Sequence, residues 1–216
     1  MRLAFIHTVP SLPPTFETLA LEMDPGLEIE HTVDETLLAD AIAAGTVPPA
    51  TAARLEEHVA RALERGADRV VVTCSSMGGA TDAIADRQGW PVERIDEAMA
   101  DRAIDIGPRI GVLATLRSTL EPTAALIRQR AGDREVAVVP RLADGAFAAL
   151  RAGDTARHDE LVRDAFRSLL GEVDVIVLAQ ASMARVADTL GDEAADTPIL
   201  ASPPLGVARA ISHLAG

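Results

Sequence analysis

Cys74 is the only cysteine in this 216-residue chain and the side chain best suited to do chemistry. It follows the apolar run Val70-Val71-Val72 and precedes Ser75 and Ser76, so it stands where a predicted strand turns into a helix. Helix N-termini lower the pKa of a thiol, so we expect a raised thiolate fraction at neutral pH. Such a group can serve as an acid, a base or a nucleophile. A buried core cysteine is the competing interpretation.

The segment around Cys74 occurs twice in the chain. An offset of 106 or 107 residues brings Val71–Met77 onto Val177–Met183 and aligns Cys74 with Gln180. Further segments match in nearly the same register: Arg2–Thr8 with Arg109–Thr115, and Pro91-Val92 with Pro198-Ile199. Several matches in one register indicate a duplicated α/β unit.

Short β-branched runs alternate with longer stretches rich in Ala, Leu and charge, a pattern typical of parallel strands joined by helices. The predicted strands are Leu3–Thr8, Leu27–Val33, Arg69–Cys74 and Val92–Ile95, then Ile110–Thr115, Glu135–Val139, Val173–Gln180 and Ile199–Ala201. The clearest predicted helices are Ala50–Arg65, Asp96–Ile106, Thr119–Arg130 and Asp154–Leu170. We therefore predict an α/β fold with two pseudo-symmetric, Rossmann-like or flavodoxin-like halves, each with a four-stranded parallel sheet.

The boundary between the halves is predicted near Gly107-Pro108, which punctuates the chain just before the second copy's first strand. We assign residues 1–97 to the first half and 98–204 to the second. A C-terminal helix, 205–216, is expected to pack back onto the first half.

Polar side chains cluster at the predicted carboxyl ends of equivalent strands. In open parallel sheets, ligands bind at this edge, where helix N-termini favour anions. We expect the two halves to enclose one cleft that holds a carboxylate. The candidate residues are His7, Thr8, Cys74, Ser75 and Ser76 from the first copy, and Thr115, Ser118, Thr119, Gln180, Ala181 and Ser182 from the second. Capping of helices is the alternative role of the Ser and Thr residues.

Composition excludes several classes of function. A net charge of −13 and the lack of a basic stripe argue against nucleic acid, and four Phe, one Trp and no Tyr leave few stacking platforms. No apolar run reaches the roughly 20 residues of a membrane span, so we expect a cytoplasmic protein without membrane contact. The histidines show no metal-ligand spacing, and Gly78-Gly79 matches no nucleotide-binding motif. Neither a metal nor another cofactor is expected.

Three segments carry a resemblance to a known family: Val70–Ser76, Gly111–Thr119 and Val175–Ser182. Over nearly its whole length the chain resembles the aspartate/glutamate/hydantoin racemase superfamily, which also includes maleate isomerases and arylmalonate decarboxylases. The resemblance implies two α/β halves around a site without cofactor, with a cysteine at the end of each third strand. It implies that Cys74 is the first cysteine, that Gly111–Thr119 binds a carboxylate, and that Gln180 replaces the second cysteine. It also implies a homodimer.

Replacement of the second cysteine bears directly on the chemistry. Racemisation without a cofactor needs one group that removes a proton next to a carboxylate and another that returns one from the opposite face. A glutamine amide cannot exchange protons, although Gln180 can orient the substrate or stabilise a developing enolate. His7 is the candidate second base, or a group that tunes the thiol.

Three functions remain open from the sequence. The leading one is a cofactor-independent racemase or isomerase that acts on a small carboxylate through Cys74. The second is a decarboxylase or other lyase in which Cys74 protonates one face of the product. The third is a non-catalytic protein that binds a small carboxylate.

Overall fold

The computed structural model describes residues 1–180, 183–190 and 197–215. The chain divides into two compact units: Met1–Glu97 together with Pro203–Gly216, and Ala98–Ser202. Within the described residues, no helix has both the length and the apolar character needed to cross a bilayer.

Each unit contains, among its described residues, one four-stranded sheet in which every strand pair is parallel. The first sheet has the order β2-β1-β3-β4, and the second has the equivalent order β6-β5-β7-β8. The strands are β1 (Arg2–His7), β2 (Glu28–Val33), β3 (Arg69–Val72), β4 (Val92–Arg94), β5 (Arg109–Ala114), β6 (Ala137–Leu142), β7 (Val175–Leu178) and β8 (Ile199–Ala201). The predicted α/β class and the two four-stranded parallel sheets are confirmed.

Helices follow the strands, as parallel pairing requires a crossover between neighbours. A short 3₁₀ helix, Ser75–Met77, precedes α4. The α-helices are α1 (Pro13–Met23), α2 (Glu35–Ala44), α3 (Pro49–Glu64), α4 (Gly78–Gln88), α5 (Glu97–Ile106), α6 (Arg117–Ala131), α7 (Ala146–Arg151), α8 (Thr155–Arg167), α9 (Ala184–Leu190) and α10 (Ser202–Leu214).

The central strands end earlier than the sequence pattern predicts. The N–H of Thr73 donates the last inter-strand hydrogen bond, to the carbonyl of Ile6, and the N–H of Met77 then bonds the carbonyl of Cys74 to begin a helical turn. Cys74 therefore lies in a turn, two residues beyond β3, and Gln180 lies two residues beyond β7. Because neither residue belongs to a strand, the alternation of side chains along a strand does not fix the direction of either side chain.

Strand β1 separates two apolar layers of the first unit, because successive side chains of a strand point to opposite faces. Ala4 and Ile6 pack on one face with α2 and α3. Leu3 and Phe5 pack on the other face with Phe16 of α1 and with Val207 and Ala210 of α10. The C-terminal helix thus forms part of the core of the first unit.

The second unit buries an equivalent layer. Leu113 of β5 and Leu178 of β7 pack with Phe166 of α8 and with Met183, which lies at the position equivalent to Met77. The burial of both central strands on two faces explains their continuous apolar runs.

Candidate active site

Cys74 lies at the carboxyl edge of the first sheet, between the end of β3 and the Ser75–Met77 turn. Its side chain packs against the layer that contains Ile6, Leu37 and Met77, yet it keeps some solvent exposure. Thr8, Ser75 and Ser76 are buried around it. Cys74 thus lies at the boundary between the core and solvent, where a residue can meet a small ligand.

Four donors surround the Cys74 sulfur. Burial raises the pKa of the Cys74 thiol, while hydrogen bonds from the Thr8 hydroxyl, from the backbone amides of Ser76 and Met77, and from the Ser76 hydroxyl lower it. Burial prevails, so the pKa lies above its ordinary value in the free protein. This corrects the expectation of a lowered pKa, because the donors of the turn do not outweigh loss of water. Cys74 therefore rests as a neutral thiol at pH 7.

His7 occupies the other face of the sheet. It stacks with Phe5 and meets the ring of Phe16 edge-on, in the layer beneath α1 and α10. The next residue, Thr8, reaches Cys74. The alternation of side chains along β1 thus directs His7 away from the sulfur. The ring contacts of His7 are thus with Phe5 and Phe16, and its expected role as a second base, or as a group that tunes the thiol, stays a prediction.

His7 belongs instead to a hydrogen-bond chain. The hydroxyl of Thr73 donates to the carbonyl of Ile6 at 3.1 Å, so Nδ1 of His7, 2.9 Å from that hydroxyl oxygen, is the donor to it. Nε2 of His7 then accepts from Nδ1 of His31 at 2.9 Å. Burial, with the neighbouring His31, lowers the pKa of His7 to about 3. His7 is therefore uncharged at neutral pH, and its hydrogen bond with Thr73 links the ends of β1 and β3.

In the second unit, Thr115 and Gln180 form a closely bonded pair at the same edge of their sheet. The backbone N–H and the hydroxyl of Thr115 both donate to Oε1 of Gln180, at 2.6 and 2.9 Å. The side-chain NH₂ of Gln180 is thereby left to donate elsewhere. The amide is fixed in orientation by the strand that precedes Thr115.

Helix α6 begins two residues after Thr115 and carries two further predicted residues, Ser118 and Thr119. Thr119 is buried in its first turn. The Ser118 hydroxyl is shielded from water and has no hydrogen-bond partner among the described residues. An unpaired buried hydroxyl is costly unless a ligand or water satisfies it, so Ser118 is suited to an anion at the start of α6. The predicted residues Ala181 and Ser182 lie outside the described residues.

The structure assembles the predicted residues into two groups, one in each unit: Thr8 with Cys74, Ser75 and Ser76, and Thr115 with Ser118, Thr119 and Gln180. Within the described part of the chain, no group of three or more His, Cys, Asp or Glu residues has an arrangement suited to a metal ion.

Sequence reasoning missed Arg94, which lies at the end of β4 beside Val72. Its guanidinium is almost fully buried and bonds both carboxylate oxygens of Asp96, at 2.6 and 3.0 Å. It also bonds Asp82 of α4 at 3.0 Å. The only signal in the sequence was an arginine close to the acidic residues Glu93 and Asp96, a pattern equally typical of an exposed strand end.

Comparison with known proteins agrees with this architecture. A protein-family profile described as Asp/Glu/Hydantoin racemase matches residues 11–210. Allantoin racemase from Klebsiella pneumoniae is similar in structure, with a TM-score of 0.70 and 23% identity over 100% of this chain and 88% of that one. Comparison with curated protein sequences yields no match.

Two other solved structures have the same fold at lower identity. The aspartate racemase of Picrophilus torridus has a TM-score of 0.73 and 14% identity, covering 99% of this chain and 94% of its own. An unliganded arylmalonate decarboxylase has a TM-score of 0.60 and 20% identity, covering 100% and 92%. These similarities establish the fold rather than a substrate.

Proposed function

Because the chain belongs to the Asp/Glu/hydantoin racemase family, we propose that it is a cofactor-independent isomerase that moves a proton at the carbon next to a carboxylate. The observation that carries this proposal is the thiol of Cys74, a partly buried residue, held by the Thr8 hydroxyl and by the amides of Ser76 and Met77. These donors stabilise the thiolate, and the thiolate must form before Cys74 can act as a base.

The proposed step begins when Cys74 transfers its proton to solvent or substrate. The thiolate then takes the α-proton, and the electron pair of the broken C–H bond passes into the carboxylate to form an enediolate. Return of a proton to carbon completes the exchange. The raised pKa of the free thiol makes the thiolate a stronger base when it does form, and the donors around the sulfur reduce the free energy needed to form it.

Carboxylate binding is assigned to hydroxyl and amide donors. We assign this role to Thr8, Ser75 and Ser76 in the first unit and to Thr115, Ser118, Thr119 and Gln180 in the second, with Ala181 and Ser182 retained from the sequence prediction. The NH₂ of Gln180 and the unpaired hydroxyl of Ser118 support this assignment, since both can donate to an oxyanion.

Gln180 makes the proposed chemistry asymmetric. Its amide has no pKa in the range that proton transfer requires, so only Cys74 exchanges protons quickly. The α-proton is therefore expected to exchange with solvent on the Cys74 face faster than the carbon inverts. Inversion would depend on a slower proton donor, such as water, on the other face.

Decarboxylation is the second candidate, and the raised pKa of Cys74 favours it. A substituted malonate that loses carbon dioxide leaves the bonding electron pair as an enediolate. The S–H bond of the neutral thiol then breaks, its proton joins carbon, and solvent reprotonates the thiolate. This route needs only one proton donor, which Cys74 can supply, and no second base.

The test is incorporation of solvent deuterium at the α-carbon, followed by NMR, with amino acids, hydantoins and substituted malonates as substrates. Wild type is compared with Cys74→Ala and Cys74→Ser, and Ser212→Ala on the exposed side of α10 is the control. We expect both cysteine variants to lose activity by at least about 100-fold, consistent with removal of a general acid–base group. The control should match wild type.

Other outcomes separate the alternatives. Unchanged exchange in Cys74→Ala would remove the assignment of the thiol. Formation of decarboxylated product from substituted malonates, without exchange of the α-proton in amino acids or hydantoins, would favour the lyase. Thermal stabilisation by dicarboxylates without exchange or turnover would favour a binding protein. The homodimer is part of the proposal, and sedimentation analysis tests it.

A further inference from the structure

We propose that Arg94 is a positioning residue for Cys74, acting through Gly78 at the start of α4. This inference rests on the proposed function of Cys74 and extends it to a residue that meets neither the sulfur nor the carboxylate donors described above. Three features of the molecule support it: the space at Gly78, the fixed position of the guanidinium, and the replacement of both residues in the second copy.

The guanidinium of Arg94 occupies the space beside Gly78. This glycine follows the Ser75–Met77 turn directly and is buried, with a helical backbone conformation. A Cβ atom at position 78 would overlap the guanidinium carbon of Arg94. The glycine is therefore required by close approach of Arg94, since its φ lies in the range that any residue adopts.

The guanidinium of Arg94 is held in place by hydrogen bonds to two carboxylates. A long side chain normally yields to a small intrusion by choosing another rotamer. Arg94 cannot do so cheaply, because its nitrogens are bonded to both oxygens of Asp96 and to Asp82, and because Arg94 and Asp96 are almost fully buried. Separating a buried ion pair leaves an uncompensated charge, which is strongly unfavourable. The guanidinium is thus a fixed surface against which the turn rests.

Gly78 lies only four residues after Cys74, so a displacement at Gly78 would change the surroundings of the sulfur. The amides of Ser76 and Met77 donate to Cys74, and both belong to the turn that ends at Gly78. Asp82, in the second turn of α4, ties the same helix to Arg94. Displacement of the turn away from Arg94 would move these two amides relative to the sulfur.

The two copies differ at both of these positions. Val72 pairs with Arg94 in the first sheet, and its counterpart Leu178 pairs with Ala201 in the second. The counterpart of Gly78 is Ala184. The guanidinium and the glycine therefore occur together in the copy that contains the cysteine, and alanines replace both in the copy that contains Gln180.

The experiment compares Gly78→Ala with Gly79→Ala. Both glycines lie in the first turn of α4, but a Cβ at position 79 would meet nothing within 4 Å. Alanine favours a helix over glycine, so Gly79→Ala should fold and behave as wild type. In Gly78→Ala, the pH profile of Cys74 alkylation by iodoacetamide should shift upward by about one unit, since weakened donors stabilise the thiolate less.

Turnover supplies a second measurement. We expect kcat for α-proton exchange to fall about 10- to 100-fold in Gly78→Ala with little change in KM, as small misplacements of reacting groups produce losses of this size. Arg94→Met combined with Asp96→Asn removes the ion pair without leaving a buried unpaired charge, and it should shift the alkylation profile in the same direction. Arg94→Lys, which keeps the charge, should have an alkylation profile that lies between those of the double variant and wild type.

The outcomes distinguish this inference from the proposed function. If Gly78→Ala and the double variant keep the alkylation profile and the kcat of Gly79→Ala, the positioning role is overturned. If the alkylation profile shifts while no variant, including wild type, exchanges any substrate, the positioning role stands and the proposed function fails.

Discussion

The backbone N–H of Thr115 donates to the side-chain carbonyl of Gln180 over 2.6 Å, and the Thr115 hydroxyl donates to the same oxygen. A backbone N–H can only donate, so this contact identifies which end of the Gln180 amide faces the strand. The NH₂ end points away from Thr115. Gln180 is thus held as a donor at the place where the resemblance expects a second thiol.

This geometry predicts the effect of Gln180→Glu. A carboxylate can still accept from Thr115, but it loses the NH₂ donors and brings a negative charge towards the proposed substrate carboxylate. We expect KM to rise at least about tenfold, equivalent to about 1.4 kcal/mol, as expected for a like charge a few ångströms away near a protein surface. Steady-state exchange kinetics measure the change.

Gln129→Glu is the matched control, because it adds the same charge on the exposed surface of α6. A KM for Gln180→Glu that equals that of Gln129→Glu would show that Gln180 does not face the substrate.

Thr8→Val is expected to reduce the reactivity of Cys74. The Thr8 hydroxyl stabilises the thiolate, so its removal should raise the pKa of Cys74 further above the ordinary value. At a fixed pH of about 8, alkylation by iodoacetamide should then be several-fold slower than in wild type. Thr15→Val, at an exposed position of α1, should alkylate at the wild-type rate. Equal rates in the two variants would exclude the hydroxyl as a donor to sulfur.

His7 is expected to make stability depend on pH. Its pKa is lowered from 6.5 to about 3, so the unfolded state binds more protons than the folded state between these values. The free energy of unfolding should therefore fall as the pH drops from 6.5 towards 3, by up to about 1.4 kcal/mol per pH unit. His31, whose pKa is also lowered, acts in the same direction.

His7→Gln keeps a hydrogen-bonding side chain beside Thr73 but removes the titration. Urea unfolding at a series of pH values should show a shallower loss of stability on acidification than wild type, whatever the stability at pH 7. A slope identical to wild type would mean that the pKa of His7 is not lowered in the folded protein.

Gly206→Ala tests the docking of α10 onto the first unit. A Cβ at position 206 would overlap the backbone carbonyl of Ile95, which cannot move as a side-chain tip can. We expect a loss of about 1–3 kcal/mol in the free energy of unfolding, as is usual for overpacking. Gly79→Ala, which meets open space in another helix, should lose nothing. Equal stability of the two variants would show that α10 does not approach Ile95.

The sequence predicted best what depends on local pattern and on the repeat. Apolar runs such as Val70–Val72 and their counterparts near Val177 predicted the paired sheets, because a duplicated α/β unit must repeat its strand order. The direction of His7 could also have been read from the alternation along β1, since Phe5 and His7 share one face.

Other properties depend on residues distant in the chain. The pKa of Cys74 reflects a balance between burial by α2 and α3 and donors in the turn, and the sequence pattern showed only the turn. The role of Gly78 depends on Arg94, sixteen positions later, whose guanidinium direction is set by Asp96 and Asp82. Such contacts arise only when the sheet has brought β3 and β4 together.

The place of α10 has a consequence for biosynthesis. Phe5 and Phe16 are covered in part by Val207 and Ala210, which leave the ribosome much later than these two aromatic residues. Residues 98–202 can therefore close their own core during translation, whereas the first unit keeps an apolar layer uncovered until α10 has been synthesised. A nascent chain stalled before residue 203 should accordingly be a preferred client of chaperones that bind exposed aromatic segments.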